Sequence, residues 1–171
     1  MEYEEIKKLV DEQYTKAGSE MPVPVVSVAK NLGIVISEID MPTLEVGGSK
    51  KPSGILTQVS DIWTILLNKE DAHTRKRFTI AHEIGHFLLH KTDTLFIVDS
   101  FVSGETFYRT EASDLDMEKE ANFFAASLLM PETKVRELFA TFQNPSELAN
   151  QFGVSEVSMT FRLKNLGLIE E

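Results

Sequence analysis

Apolar residues change their spacing several times along this chain, and each change marks an element. Over residues 3–17, Ile6, Leu9, Val10 and Tyr14 recur at helical spacing, the mark of an amphipathic helix. Gly18, Pro22 and Pro24 break it. Residues 25–32 have the length and pattern of a short helix closed by Gly33, and 34–36 (Ile-Val-Ile) read as a short strand. Residues 41–52, rich in Gly, Lys and Pro, read as a loop. Two β-favouring runs, 54–59 and 62–67, flank Ser60 and Asp61, which predicts a hairpin.

The period then becomes helical. Residues 74–90 contain no Pro, and their single Gly is Gly85. Phe78, His82, His86 and Leu89 form one stripe; Ile80, Ile84 and Phe87 form another. A helix apolar on nearly all sides belongs at the centre of a core. Asn68 or Asp71 is expected to cap its start. A second helix is predicted over 113–130, with Ser113 and Asp116 at capping-box spacing and Pro131 as its stop. Between these helices, residues 91–112 have no clear period, yet Phe96, Ile97, Phe101 and Phe107 make them too apolar for a disordered linker; a packed loop or short strands near a cleft are expected. A short helix is predicted near 132–139. Beyond it, Leu148, Ala149, Phe152, Gly153, Val154 and Ser155, followed by Met159 and Leu163, have the turn pattern of a helix-turn-helix. The organisation read from this is an α+β domain over 1–131 with a helical segment, 132–171, packed on it.

Composition narrows the classes. The chain has 171 residues, 42% of them hydrophobic, enough for a real core in one domain with a small appendage. No apolar run approaches a membrane span, and the acidic start Met1-Glu2-Tyr3-Glu4-Glu5 lacks the features of a signal peptide, so a cytoplasmic protein without membrane contact is expected. The absence of cysteine excludes disulfides and thiolate-held zinc. A formal net charge of -10 argues against direct DNA binding and favours attraction of a basic partner. Within 145–171, Arg162 and Lys164 face Glu147, Glu156, Glu170 and Glu171, so the helical pair reads as a structural or protein-docking element.

The chemistry lies in His82-Glu83-Ile84-Gly85-His86. On a helix the two histidines share one face and can reach one metal ion, while Glu83 stands beside a water held there. A pair of hydrogen-bonded core histidines is the plainer alternative, but it leaves a buried Glu83 unexplained. A third ligand is needed. The position of a third histidine in the metzincin spacing is Thr92, which excludes that class. His90 is a further four-residue step on, a turn of about 40° away, and reads as a helix-end residue near the negative dipole. His73 precedes the helix and is expected to be exposed. On the second helix, Leu115, Glu118, Asn122, Ala125 and Leu129 form a stripe in which Glu118 is the lone acid. Glu120 is the rival, but two residues turn it about 200° away, toward the polar side with Asp116 and Ser127. Glu118 is therefore the candidate third ligand, with Asn122 one turn on as its support. Tyr108 and Arg109 are candidate donors to an oxyanion, against the plainer reading of packing and a surface ion pair.

Residues 77–86 (Arg-Phe-Thr-Ile-Ala-His-Glu-Ile-Gly-His), followed by Glu118, Ala121, Asn122, Phe124, Ala125, Ala126 and the run Leu128-Leu129-Met130-Pro131, resemble the ImmA/IrrE metallopeptidases over roughly 60–170. The resemblance implies a small zincin-like domain, with a short sheet on a central metal-binding helix, and a gluzincin-like site whose third ligand is Glu118. It implies one zinc ion per chain, although a two-histidine, one-carboxylate set suits other divalent metals. It also implies a protein substrate, a helix-turn-helix transcriptional repressor. The reading is then a zinc-dependent endopeptidase with Glu83 as general base. Its rivals are a metal-containing module that sequesters a repressor uncut, and a DNA-binding regulator acting through 145–165. For a peptidase, the open edge of the 54–67 hairpin would pair with an extended substrate.

Overall fold

A computed structural model describes residues 2–41, 52–90 and 112–170. Helix α1 (Tyr3–Lys16) opens the chain, with Ile6 and Val10 buried, and α2 (Val25–Asn31) follows. Strand β1 (Val35–Ile39) leads to β2 (Gly54–Val59) and β3 (Ile62–Asn68). The metal-motif helix α3 (His73–His90) comes next, then α4 (Ala112–Leu129), α5 (Glu132–Phe139), α6 (Pro145–Phe152) and α7 (Glu156–Asn165). The fold is α+β, with a small sheet carried by helices. Among the described residues, no helix is long and apolar enough to cross a membrane.

The sheet has the order β1-β3-β2, with β1 parallel and β2 antiparallel to the central β3. The hairpin turn is the pair Ser60 and Asp61, both with positive φ (48° and 65°). Two left-handed residues match the twist of the flanking strands, and Asp tolerates that conformation. The first strand differs from expectation. It starts at Val35 and continues through Ser37 and Glu38 to Ile39, in register with residues 64–68 of β3. Backbone pairing with β3, not apolar content, sets its length.

Neither Asn68 nor Asp71 caps α3. Asn68 ends β3, and its Oδ1 accepts the Glu70 N–H at 3.0 Å in the turn that follows. The Asp71 carboxylate faces Arg75 at 3.8 Å instead. The helix begins two residues later than Asp71, so His73 is its exposed first residue rather than its predecessor. As expected, α3 is central: Ile80, Ile84 and Phe87 are buried, as are Thr79 and Glu83. Arg77 ties its first half to distant chain. Its guanidinium donates to Gly153 O (3.0 Å), Val23 O (2.9 Å) and Phe152 O (3.4 Å).

The pair α6 and α7 folds as the spacing predicts, with Gly153 left-handed between them (φ 62°). Asn144 Oδ1 accepts from Ser146 N, and Ser155 Oγ from Ser158 N, so each helix carries a side-chain cap. Leu148, Phe152, Met159 and Leu163 join the same buried cluster as Ile6, Ile84 and Phe124.

Helices α3 and α4 cross in close contact at Gly85. A Cβ added to Gly85 would stand 3.1 Å from Ala121 Cα, 3.2 Å from Ala121 O and 3.3 Å from Phe124 Cβ. Two of those atoms are backbone and cannot rotate aside. Gly85→Ala would gain about 1 kcal/mol of helix propensity but incur about 1–3 kcal/mol of overpacking. We expect a net loss, read as a thermal midpoint lower by a few degrees, about 2–4 °C per kcal/mol at this size. An unchanged or higher midpoint would show that the two helices can part without cost.

Candidate metal centre

One turn of α3 separates His82 from His86. Their rings meet edge to face with centroids 4.6 Å apart, and the two Nε2 atoms stand 3.0 Å apart. Across the cleft, α4 presents Glu118. Its Oε2 lies 3.4 Å from His82 Nε2 and its Oε1 3.1 Å from His86 Nε2. All three residues offer donor atoms within 4.8 Å of one another. On a tetrahedral zinc with bonds of ~2.0–2.2 Å, ligand atoms stand about 3.3–3.6 Å apart. The donor set and its spacing therefore fit a small divalent cation with little adjustment. His82 Nδ1–H donates to Asn122 Oδ1 at 3.1 Å, because an amide oxygen can only accept. That bond makes Nδ1 of His82 a protonated donor and turns its Nε2 inward, toward Glu118.

The charges are held unequally. Glu118 is half exposed (54%), yet hydrogen bonds from His82 and then His86 hold its carboxyl far below the usual carboxylate range. Burial opposes protonation of His82, but the hydrogen bond to Glu118, the charges of Glu83 and Glu118 and the bond to Asn122 outweigh it, and its pKa rises. Glu83 behaves oppositely. It is buried, and burial pushes its pKa up against the pull of His82 and His86. The backbone N–H of Leu56 on β2 hydrogen-bonds its carboxyl. A Cβ on Gly54 would sit 3.5 Å from Glu83 Oε1, so the carboxyl lies against the start of the same strand.

The stripe on α4 is less buried than its composition suggests. Leu115 is 65% exposed and Asn122 is exposed, while Ala125 and Leu129 are fully covered. The stripe runs from core into open cleft, so Glu118 is a residue of the cleft and not an acid in an apolar wall. The rotational separation of Glu118 and Glu120 is present in the structure, and Glu120 meets α3 one turn past His86, at His90. There its Oε2 lies 3.5 Å from His90 Nε2. The side that reads as polar is in fact largely covered, since Ser127 is buried and the Glu120 side chain is only 15% exposed. His90 is accordingly a buried partner of Glu120 as well as a helix-end residue.

Tyr108 and Arg109, like the loop readings for 42–51 and 91–111, lie outside the described residues. The Leu56 N–H is a contributor that no residue type announces, because every non-proline residue carries the same donor.

Residues 29–164 match the family described as the IrrE N-terminal-like domain. The radiation response metalloprotease IrrE of Deinococcus radiodurans is 35% identical over 105 residues, covering 58% of this chain and 30% of that protein. The metallopeptidase ImmA of Bacillus subtilis is 26% identical over 112 residues, covering 64% of this chain and 60% of that protein. The chain thus spans less than two thirds of the length of these curated relatives. A solved structure, a Mycobacterium tuberculosis transcriptional regulator, shares the fold with a TM-score of 0.65 at 18% identity, over 94% of this chain and 46% of that one.

Two outcomes follow for metal analysis. Glu118→Gln should lower the bound metal strongly while Glu120→Gln leaves it near one ion per chain, by elemental analysis after dialysis; the reverse pattern would reassign the third ligand. Metal affinity should also fall with pH, by about tenfold per unit for each proton that displaces the ion. Because the pKa of His82 is raised, protonation competes from a higher pH than for an ordinary imidazole. Competition titrations with a chromophoric chelator check this, and an affinity flat through the imidazole range would contradict it.

Proposed function

The chain belongs to the family of IrrE N-terminal-like domains, and on that footing we propose that it is a zinc-dependent endopeptidase acting on a helix-turn-helix transcriptional repressor. The observation that supports this best is the convergence of His82, His86 and Glu118 beside a buried carboxyl, Glu83. In this reading the first three residues hold the metal, and Glu83 is the general base. When bound, the ion supplies Lewis acidity and brings a water within reach of deprotonation near neutral pH.

The residues of the chain divide the remaining work. Glu83, with its raised pKa, takes a proton on its carboxyl and returns it to the leaving amine. The Leu56 N–H beside that carboxyl favours its ionised form, the form that takes up the proton. Asn122 keeps the His82 tautomer with Nε2 facing the site. Glu118 stays ionised throughout, which suits a ligand and disqualifies it as the base. Among the described residues, β2 pairs with β3 alone, and in this reading its other edge, apart from the Leu56 N–H, takes an extended peptide. A scissile bond must leave its helix or sheet to lie there, which favours an exposed, extended segment of the repressor.

The geometry of α7 supports a scaffold role over DNA contact. Of its two cations, Arg162 is buried, donating from Nε to Met130 O at 3.1 Å, and Lys164 is half-buried, while the helix exposes Val157 and Phe161.

Glu83→Gln should retain metal and fold while cutting peptide hydrolysis by about 10²–10⁴-fold. The assay is incubation of the zinc-loaded protein with the helix-turn-helix repressor encoded nearest its gene, with products mapped by mass spectrometry. Cleavage equal to the parent's would remove Glu83 from the mechanism. No cleavage by the parent, even with the repressor partly unfolded, would favour sequestration instead.

A further inference from the structure

A groove of about 990 Å³ lies beside the metal site, between α1, α4 and α7. It adjoins the site through Asn122, which holds His82 and is part of the lining, while the candidate ligands themselves are not. Aromatic side chains form its walls. Tyr3 and Phe123 stand edge to face at 4.6 Å, and Phe161 is 62% exposed. This is the volume of a large ligand pocket, enough for several residues of peptide.

The groove also has an unusual cation. Three of its cations are paired: Lys7 with Glu4 at 2.7 Å, Lys119 with Asp116 at 3.0 Å and Arg136 with Glu132 at 2.8 Å. Arg162 is not. It is 7% exposed, and its hydrogen bond is the one from Nε to Met130 O. Among the described residues, no carboxylate lies within ion-pair distance of it, although the charge of Glu132, the partner of Arg136, acts on it; its terminal nitrogens are not among the fully buried polar atoms that lack a partner, and they open on the groove. A guanidinium carries five donors in a planar fork that suits a carboxylate. Where they reach the groove these donors are hydrated, and a carboxylate would exchange that water for charge-assisted bonds.

We propose that this groove is a substrate-docking channel, and that Arg162 receives an Asp or Glu side chain of the peptide segment being cut. The occupant rests on the peptidase reading of the adjoining site; the groove and its unpaired guanidinium do not. The chain's acidity of -10 repels such a residue at long range, but a largely buried fork at hydrogen-bond distance outweighs a screened surface field. The register follows from the helix. Met130, the acceptor of Arg162 just past the end of α4, is twelve residues from the candidate ligand Glu118, or about 18 Å at about 1.5 Å per residue. An extended chain covers that in about five or six residues. The acidic anchor therefore lies about five or six residues from the one held at the metal.

The test uses the zinc-loaded Glu83→Gln protein, so that bound peptides persist. Fluorescein-labelled, amidated decapeptides of Ala with one fixed Phe carry a Glu walked through the other positions, each with a Gln counterpart. Anisotropy titrations should give one register in which Glu binds about tenfold or more tighter than Gln, on the scale of a charge-assisted hydrogen bond. In that register the Arg162 Nε–Hε resonance should shift with Glu peptide, and Arg162→Lys should lose most of the preference. Equal binding of Glu and Gln peptides at every position, or no binding, overturns the proposal, as does a preference that Arg162→Lys leaves intact. The peptide comparison needs no variant at Arg162, so it decides even if Arg162→Lys fails to fold. Acid-dependent binding without any hydrolysis by the parent would sink the peptidase reading alone; repressor cleavage without acid dependence would sink the channel alone.

Discussion

The distance of closest approach between α3 and α4 governs what the cleft can hold. A histidine pair on one helix and a carboxylate on another meet at one point only if the two backbones nearly touch. Gly85 and Ala121 make that contact, with no room for another methyl group between them. Gly85 sits one residue before His86, and Ala121 sits between Glu118 and Asn122, so the crossing point is also the centre of the donor set. A helix normally loses about 1 kcal/mol by carrying Gly in place of Ala. Here that loss is accepted because side-chain reach falls off within an ångström or two, and the Glu118 oxygens stand just 3.1 and 3.4 Å from the imidazole nitrogens.

The same crossing sorts the carboxylates by environment. Glu118 reaches across the open side of the cleft, where two imidazoles keep it ionised. Glu83 points into the sheet, where burial favours its neutral form and a strand N–H restrains it. Two residues of nearly identical chemistry acquire opposite proton affinities from position alone. Glu120 takes a third environment, largely covered and against His90.

Much of this was legible in the sequence, and the reasons differ by element. The stripes of α3 show because the helix is enclosed, so its period is written in apolar residues on several faces. The hairpin shows because two strands of β-favouring residues bracket a pair suited to left-handed turns. The separation of Glu118 from Glu120 is pure helical geometry. What could not be seen depends on tertiary cover. The end of β1 at Ile39 is set by its partner strand, and the openness of the cleft around Leu115 and Asn122 by which neighbour stops short. Arg162 reads in sequence as one of few cations on a helix; its burial beside a groove, which gives it meaning, belongs to the assembled molecule.

Arg77 links this site to the timing of its own assembly. The guanidinium that steadies the first half of α3 takes acceptors from Phe152 and Gly153, seventy-five and seventy-six residues later in the chain. Contacts of such separation form slowly, because a long loop must close first. On a ribosome adding about 5–20 residues per second, the metal-motif helix emerges several seconds before the turn that clamps it. Until then its cation and its apolar faces are without their final cover. A nascent chain therefore exposes the histidine pair before it owns the surroundings that tune it, and the finished centre is a late product of synthesis.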